Sequence, residues 1–192
     1  MEFSQIVRSN RSYRRFDAGH AVSERVLREL VALARITPSA ANRQPLKYVL
    51  SCSPEGNARI FEALGWAGYL PEWPGPSPAE RPSAYIVVVV DTDISPSADV
   101  DVGIVSQTML LAAVEMGLGG CMLANVKRDT LARTLELPGN LAVALVIALG
   151  KPVEKVVLED LPADGSIRYY RDAAQTHHVP KRPVEKLIHK VL

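Results

Sequence analysis

Three features of the sequence predict one layered domain of the α/β or α+β class. Helical and extended stretches alternate along 192 residues with no internal repeat. Two extended runs, "AYIVVVV" (84–90) and "LAVALVIALG" (141–150), are apolar throughout, as strands covered on both faces are. One helical run, residues 98–117, is apolar nearly all round from Ile104 to Met116, which sends it into an interior or an interface.

The elements follow in order. "MEFSQIVRSN" is an amphipathic mixture, and a helix is expected to carry it into the basic stretch "RSNRSYRRF" (8–16). "VSERVLRELVALARI" (22–36) sets Val26, Leu27, Leu30, Val31, Leu33 and Ala34 on one helix face. Ser23 suits its N-cap, and Val22 with Leu27 fits a hydrophobic staple. "TPSAANRQPLKYVL" (37–50) then turns from helix to strand, with small residues, Asn42, Arg43 and Gln44 between the two. The strand itself alternates over "LKYVLSC" (46–52), and a helix is expected over Glu55–Leu64 with Ile60, Phe61 and Leu64 inward.

Residues 65–82, "GWAGYLPEWPGPSPAERP", hold five prolines and cannot form a regular element. Their two tryptophans and one tyrosine suggest an ordered flap. Gly117 fits the end of the 98–117 helix, "GGCML" (119–123) a short extended piece, and "DTLARTLEL" (129–137) a short helix closed by Pro138. "SIRYYRDAAQTHHVPKRP" (166–183) reads as a hairpin arm and "PVEKLIHKVL" as a closing helix with Pro183 in its first turn. No internal boundary suggests itself. The long arm (163–183) is better explained as packing on a second subunit than as a separate domain.

Composition narrows the function. Apolar residues make up 47% and charged ones 22%, the balance of an ordinary globular protein. A formal net charge of +1 argues against a nucleic-acid partner. No apolar run is long enough to span a bilayer, and the N-terminus lacks the charged head and greasy middle of a signal peptide. The two cysteines, Cys52 and Cys121, have no metal-ligand spacing, so a cytoplasmic protein with reduced thiols is expected. His177–His178 has no accompanying carboxylate or cysteine motif, which leaves both histidines structural or surface roles and predicts no metal site.

Several chemistries lack their residues. There is no G-x-S-x-G elbow, and neither cysteine stands in a recognisable catalytic context. No phosphate-binding G-x-x-x-x-G-K-[ST] occurs, and "GLGG" (117–120) does not open a helix, which argues against a Rossmann-type NAD site. The basic cluster is more informative, with Arg8, Arg11, Arg14 and Arg15 beside Ser9 and Ser12. On a helix ending here Arg11 and Arg14 would share a face, and two guanidinium forks with a hydroxyl suit an anion. A second basic pair, Lys181–Arg182, precedes the C-terminal segment. Taken alone, such arginines read more readily as solvated surface charge.

Together, these stretches resemble the nitroreductase family of FMN-dependent oxidoreductases along nearly the whole chain. "RSYRRF" is similar to that family's Arg-Ser-x-Arg-x-Phe signature, and "PSAANRQP" to its Pro-Ser-Ala-x-Asn-x-Gln-Pro motif. "DVGIVSQTMLLAAVEMGLGGC" resembles its long central helix and Gly-Leu-Gly turn, "IALGKP" its strand-to-Gly-x-Pro ending, and "PKRPVEKLI" its C-terminal basic segment. The resemblance implies a three-layer α+β fold with a central, mostly antiparallel sheet flanked by helices and a long helix at a dimer interface. It also implies a homodimer with two FMN sites between subunits. NAD(P)H would be the hydride donor and a nitroaromatic, quinone or related small molecule the acceptor, alternating at one site.

By the same resemblance Arg11 and Ser12 serve the FMN phosphate and ribityl end, and Arg14 the pyrimidine edge of the flavin. Pro38, Ser39, Asn42 and Gln44 touch the flavin, the first two from either chain. Cys121, Met122 and Leu123 set backbone N–H groups near the reactive ring, and Lys181 or Arg182 reaches the phosphate. A cation such as Arg14 would stabilise the charge a reduced flavin gathers, and two amides match the alternating donors and acceptors of its edge. Hydride transfer needs positioning rather than an acid–base dyad, so no catalytic side chain is expected beyond the cofactor itself. Asn10 and Met122 depart from the family pattern, which often has a basic residue and an aromatic there. Other FMN chemistry on this fold (flavin fragmentation or reductive dehalogenation) and a non-enzymatic FMN-binding protein stay open as alternatives.

Overall fold

Strand Ala84–Asp91 (β3) shows why the chain layers as it does. All eight of its residues are buried, and alternate side chains enter different cores, as a period of two dictates. Ile86, Val88 and Val90 join one cluster; Tyr85, Val87 and Val89 join the other. A strand covered on both faces requires a helix layer on each. The computed structural model, which describes all 192 residues, supplies both.

The first layer is Glu24–Arg35 (α2) and Asp99–Glu115 (α4), which bring Leu27, Leu30, Val102, Val105 and Met109 against one sheet face. Ser23 caps α2, its hydroxyl accepting from the Val26 N–H, and Val22 and Leu27 are buried in the same cluster. Helix α4 ends in a Schellman turn. Gly117 takes φ +73°, its N–H donates to Val114 O, and the Leu118 N–H reaches Ala113 O. The opposite layer is Pro54–Phe61 (α3) and Arg128–Thr134 (α5), which contribute Ile60 and Leu131.

Between the layers lies a five-stranded sheet. Phe16–Asp17 (β1), Leu46–Ser51 (β2) and Gly119–Leu123 (β4) join β3 around the 12-residue strand Leu141–Pro152 (β5). The order is β1-β5-β3-β2, with β4 also on β5, and every pairing is antiparallel. This is the three-layer α+β arrangement with a mostly antiparallel sheet. The long helix α4 lies in one of its layers.

The chain divides into two compact units, residues 1–66 with 75–153 and residues 67–74 with 154–192. The centre of the Pro/Trp flap thus belongs with the C-terminal arm. In this second unit Val156–Asp160 (β6) pairs parallel with His177–Lys181 (β8), and Tyr170–Arg171 (β7) pairs antiparallel with β8. The hairpin in the arm was expected; β6 was not, because "VVLED" is too short and too acidic to announce a strand. Flap and arm are joined by aromatic contacts. Tyr69 and Tyr169 rings stand 4.9 Å apart, the Tyr69 N–H donates to the Tyr169 hydroxyl, and the Arg171 guanidinium lies 4.0 Å from the Trp73 ring centre.

Three expectations about helices need correction. The helix at the N-terminus, Phe3–Ser9 (α1), stops before Arg11, so Arg11 and Arg14 do not share a helix face. Asn10 takes an extended conformation, and the chain beyond pairs with β4, which offers its backbone a better partner than a further turn. Residues 183–192 form one 3-10 turn at Val184–Lys186, not a closing helix. All ten are exposed, and a helix this short needs an apolar partner to persist in water. The helix expected to reach Leu64 ends at Phe61.

His178 binds the second unit together. Its Nδ1 lies 3.0 Å from Glu159 Oε2 on β6 and its Nε2 3.1 Å from Asp172 Oδ2, while its ring stacks on Tyr170. Hydrogen bonds to Asp172 and Glu159 raise the imidazole above its ordinary 6.5, and the bond from His178 holds Asp172 below the usual carboxylate range. A raised histidine contributes stability that is complete below 6.5 and lost as pH rises through the folded value. A depressed Asp172 contributes above its unfolded value and loses that contribution as pH falls. The His178 resonance should therefore titrate above 6.5 by NMR, and the urea midpoint should fall across that titration. His178→Gln should abolish that part of the pH dependence; a wild-type midpoint flat over the same range would contradict the clamp.

Candidate functional site

Two groups of polar residues face outward from the first unit. The first is the arginine-bearing segment. After α1 ends, Ser12 forms a parallel bridge with Gly120, and the Tyr13 N–H donates to Gly120 O at 3.0 Å. The segment therefore runs along the edge of β4 that β5 does not use. Arg11 Nη2 donates to Val7 O at 2.9 Å, and Arg14 Nη1 to Ser12 O at 3.1 Å. Arg15 is committed elsewhere, to Glu80 at 2.5 Å. The Arg11 Nε–H is buried with no acceptor in the chain, so this guanidinium retains a donor for an incoming anion.

Strand β4 selects among the three expected backbone donors. In an antiparallel ladder the N–H and C=O of one residue face one edge, and those of the next residue face the other. Because Gly120 O accepts from Tyr13, residues 120 and 122 face the outer edge. The Met122 N–H thus points away from β5, whereas those of Cys121 and Leu123 point toward it. Cys121 and Leu123 are also buried in the core, while Met122 is half-buried.

The second group is the turn at Pro38–Pro45. A 3-10 turn at Ala40–Asn42 is followed directly by the strand β2. Ala41, Asn42 and Gln44 all take left-handed backbone, with φ of 51°, 54° and 52°. Non-glycine residues reach that region at a cost, so something must hold three of them there. The Ser39 hydroxyl accepts from the Gln44 N–H at 2.9 Å and donates to Asp101 Oδ2 at 2.5 Å. The Ala40 N–H donates to Asp101 Oδ1 at 3.1 Å. The Gln44 side-chain amide donates to the backbone and side-chain oxygens of Asn42, both of them exposed residues. Beside this turn is a half-open cavity of about 230 Å³ walled by Val31, Leu46 and Val105, with Tyr48 and Asp101 as polar lining.

The structure thus sets Ser12 against Gly120 on the outer edge of β4, with Arg11 and Arg14 flanking it in sequence, and Ser39, Asn42 and Gln44 after Pro38 in a separate, internally bonded turn. Lys181 closes β8 and Arg182 follows it, both exposed in the second unit. Two residues escaped sequence reasoning. Asp101 stands in the first turn of α4, where acidic residues are common for helix-dipole reasons and attract no notice. Gly120 reads in the sequence only as part of a short extended piece, yet a Cβ there would meet the Ala148 carbonyl and the Leu110 side chain, where no methyl fits.

Comparison with known proteins identifies the scaffold that carries these two groups. The nitroreductase family pattern matches residues 7–74 and 76–151, so the chain belongs to the nitroreductase family of flavin-dependent oxidoreductases. It is 26% identical over 162 residues to a putative NADH dehydrogenase/NAD(P)H nitroreductase of Archaeoglobus fulgidus, covering 80% of this chain and 87% of that one. Its fold matches a nitroreductase family protein of Streptococcus pneumoniae with TM-score 0.73 at 19% identity, over 99% of this chain and 100% of that one. It also matches an FMN-dependent nitroreductase of Clostridium difficile with TM-score 0.62 at 19% identity, over 78% and 87%. No helix is long and apolar enough to cross a membrane.

The approach of β4 to β5 can be checked at Gly120. Gly120→Ala should cost about 1–3 kcal/mol of stability, because overpacking here presses on backbone rather than on a flexible side-chain end. It should also release the amide protection of Tyr13. Wild-type stability and unchanged Tyr13 exchange would mean that the edge is looser than described.

Proposed function

We propose that the chain is an FMN-dependent oxidoreductase that takes hydride from NADH or NADPH and delivers it to a quinone, nitroaromatic or related acceptor. Donor and acceptor would alternate at one site in a homodimer carrying two sites at its interface. The observation that carries the reading is the pairing of the Arg11–Arg14 segment with β4. It anchors Ser12 and Tyr13 on Gly120 at the β4 edge toward which the Met122 N–H also points, so the neighbouring Arg11 and Arg14 would serve the same ligand. FMN, when bound, supplies the two-electron chemistry.

The chain's own residues would bind and orient it. Arg11, with its unsatisfied Nε–H, suits the phosphate, together with the Ser12 hydroxyl. Arg14 would face the pyrimidine edge, where a fixed cation favours the more negative reduced state. The Met122 N–H would donate to the ring, and Asn42 and Gln44 would present amides to its polar edge. Pro38 and Ser39 would bring the turn against the ring, and Cys121 and Leu123 would hold Met122 in register from the core. Lys181 and Arg182, exposed in the second unit, are further cations of the kind that suit a phosphate.

A homodimer is supported by apolar surface without cover. Phe3 is 69% exposed on α1 and Val100 71% exposed on α4. In the tail, Val184, Leu187, Ile188, Val191 and Leu192 are all exposed at the spacing of one helix face. We read this tail as the closing helix in waiting, completed on the partner subunit. Two free cysteines fit a reducing cytoplasm.

Steady-state oxidation of NADH and NADPH with a panel of quinones and nitroaromatics tests the activity. Arg14→Ala should bind FMN about tenfold more weakly, a typical loss for a charged hydrogen bond, and should slow its reduction. Unchanged flavin content and rate would remove Arg14 from the site. Deleting the chain from residue 163 onward should convert a dimer to a monomer in sedimentation; a stable, FMN-loaded dimer would contradict the role given to the arm.

A further inference from the structure

Asp101 is the buried ionisable group that the proposed chemistry leaves unused. It is 3% exposed, and the groups that donate to it, the Ser39 hydroxyl and the Ala40 N–H, are neutral. A buried carboxylate without a cation is costly and survives only where hydrogen bonds and local dipoles replace water. Here the first turn of α4 adds its positive end. The carboxylate also lines the cavity beside Tyr48, and it joins burial in raising the Tyr48 hydroxyl above its ordinary value.

What this anion grips is the turn that departs furthest from relaxed backbone. One carboxylate oxygen holds Ser39 and the other Ala40, at the entrance to the turn. The same Ser39 hydroxyl then accepts from the Gln44 N–H at 2.9 Å, closing the six-residue loop 39–44 across its base. Inside that closure lie Ala41 and Asn42 in left-handed conformation, with Gln44 in the same region at its end. The Gln44 amide clamps Asn42 in turn, at 3.2 Å and 3.1 Å. Each link has a polar partner that the next link needs, and the chain of bonds starts at Asp101.

We propose that Asp101 is a positioning residue for the cofactor. Through Ser39 it holds the 39–44 turn in its left-handed form, so that Asn42 and Gln44 stand ready before the flavin arrives. The reading rests on FMN as the ligand of this fold. The role requires two acceptors or their geometric equivalent at position 101, not the charge as such. Asparagine meets that requirement. Its oxygen accepts from Ala40 while its amide donates to Ser39 Oγ, which still accepts from Gln44.

The test uses the full-length protein freed of flavin and titrated with FMN, together with amide exchange at Ala40 and Gln44 without ligand. Asp101→Ala should bind FMN about tenfold or more weakly, as the loss of both hydrogen bonds that hold the turn implies, and should lose protection at both amides. Asp101→Asn should restore both within about threefold, since its geometry is retained. Ser39→Ala, at a half-exposed site that leaves the core untouched, should reproduce the Asp101→Ala result, and Ser39→Thr should rescue it. Wild-type affinity and protection in Asp101→Ala or Ser39→Ala overturns the proposal. So does a loss in Asp101→Ala that asparagine does not repair, which would assign the residue a purely electrostatic or folding role. A wild-type protein that binds no FMN would instead sink the cofactor reading, and the exchange data alone would still decide whether Asp101 orders the turn.

Discussion

The structure depends on the register of β5. This strand pairs with β3 along one edge and with β4 and then β1 along the other. Its run from Val146 to Gly150 is buried throughout, so a slip of one residue would turn both core faces inside out. Everything polar in the arginine group hangs on that register. β5 fixes β4, the outer edge of β4 fixes Ser12 and Tyr13, and these two place Arg11 and Arg14. Close approach is built in at Gly150, whose added Cβ would meet the Phe16 ring at 3.0–3.1 Å, and again at Gly120.

The turn at 39–44 is controlled independently, from α4. Helix α4 is apolar around most of its circumference because α2 and the sheet both pack on it. A carboxylate in its first turn is therefore held in an unusually fixed place. A rigid helix is thus used to impose an unfavourable backbone conformation on a loop. In the proposed reading, arginines ordered by a strand edge and amides ordered by a helix terminus would be two preorganised surfaces, and preorganisation is what hydride transfer asks of a protein.

Much of this was legible from periodicity. Ser23 and the Leu27–Leu30–Ala34 stripe announce α2 because capping and burial are local, repeating demands. The continuous apolar run of 84–90 announces a strand buried on both faces, and hence three layers. Arg11, Arg14, Asn42 and Gln44 stand out as polar groups in motif positions. Asp101 did not, because its partners are 61 and 62 residues away and no local pattern records them. Residues 183–192 read as a helix for a sound reason, since the stripe is present, but propensity without a partner surface is not enough in a single chain. The end of α1 was missed likewise, because Ser12 pairs with a strand more than 100 residues later.

The central claim is that these two surfaces hold a flavin that nicotinamide reduces. The visible absorption spectrum of the purified protein, recorded anaerobically before and after addition of NADH or NADPH, tests it most directly. The account predicts a yellow protein whose flavin bands bleach with at least one nicotinamide and return when a quinone is added. A colourless protein that takes up no FMN would contradict it, as would a bound flavin that neither nicotinamide bleaches.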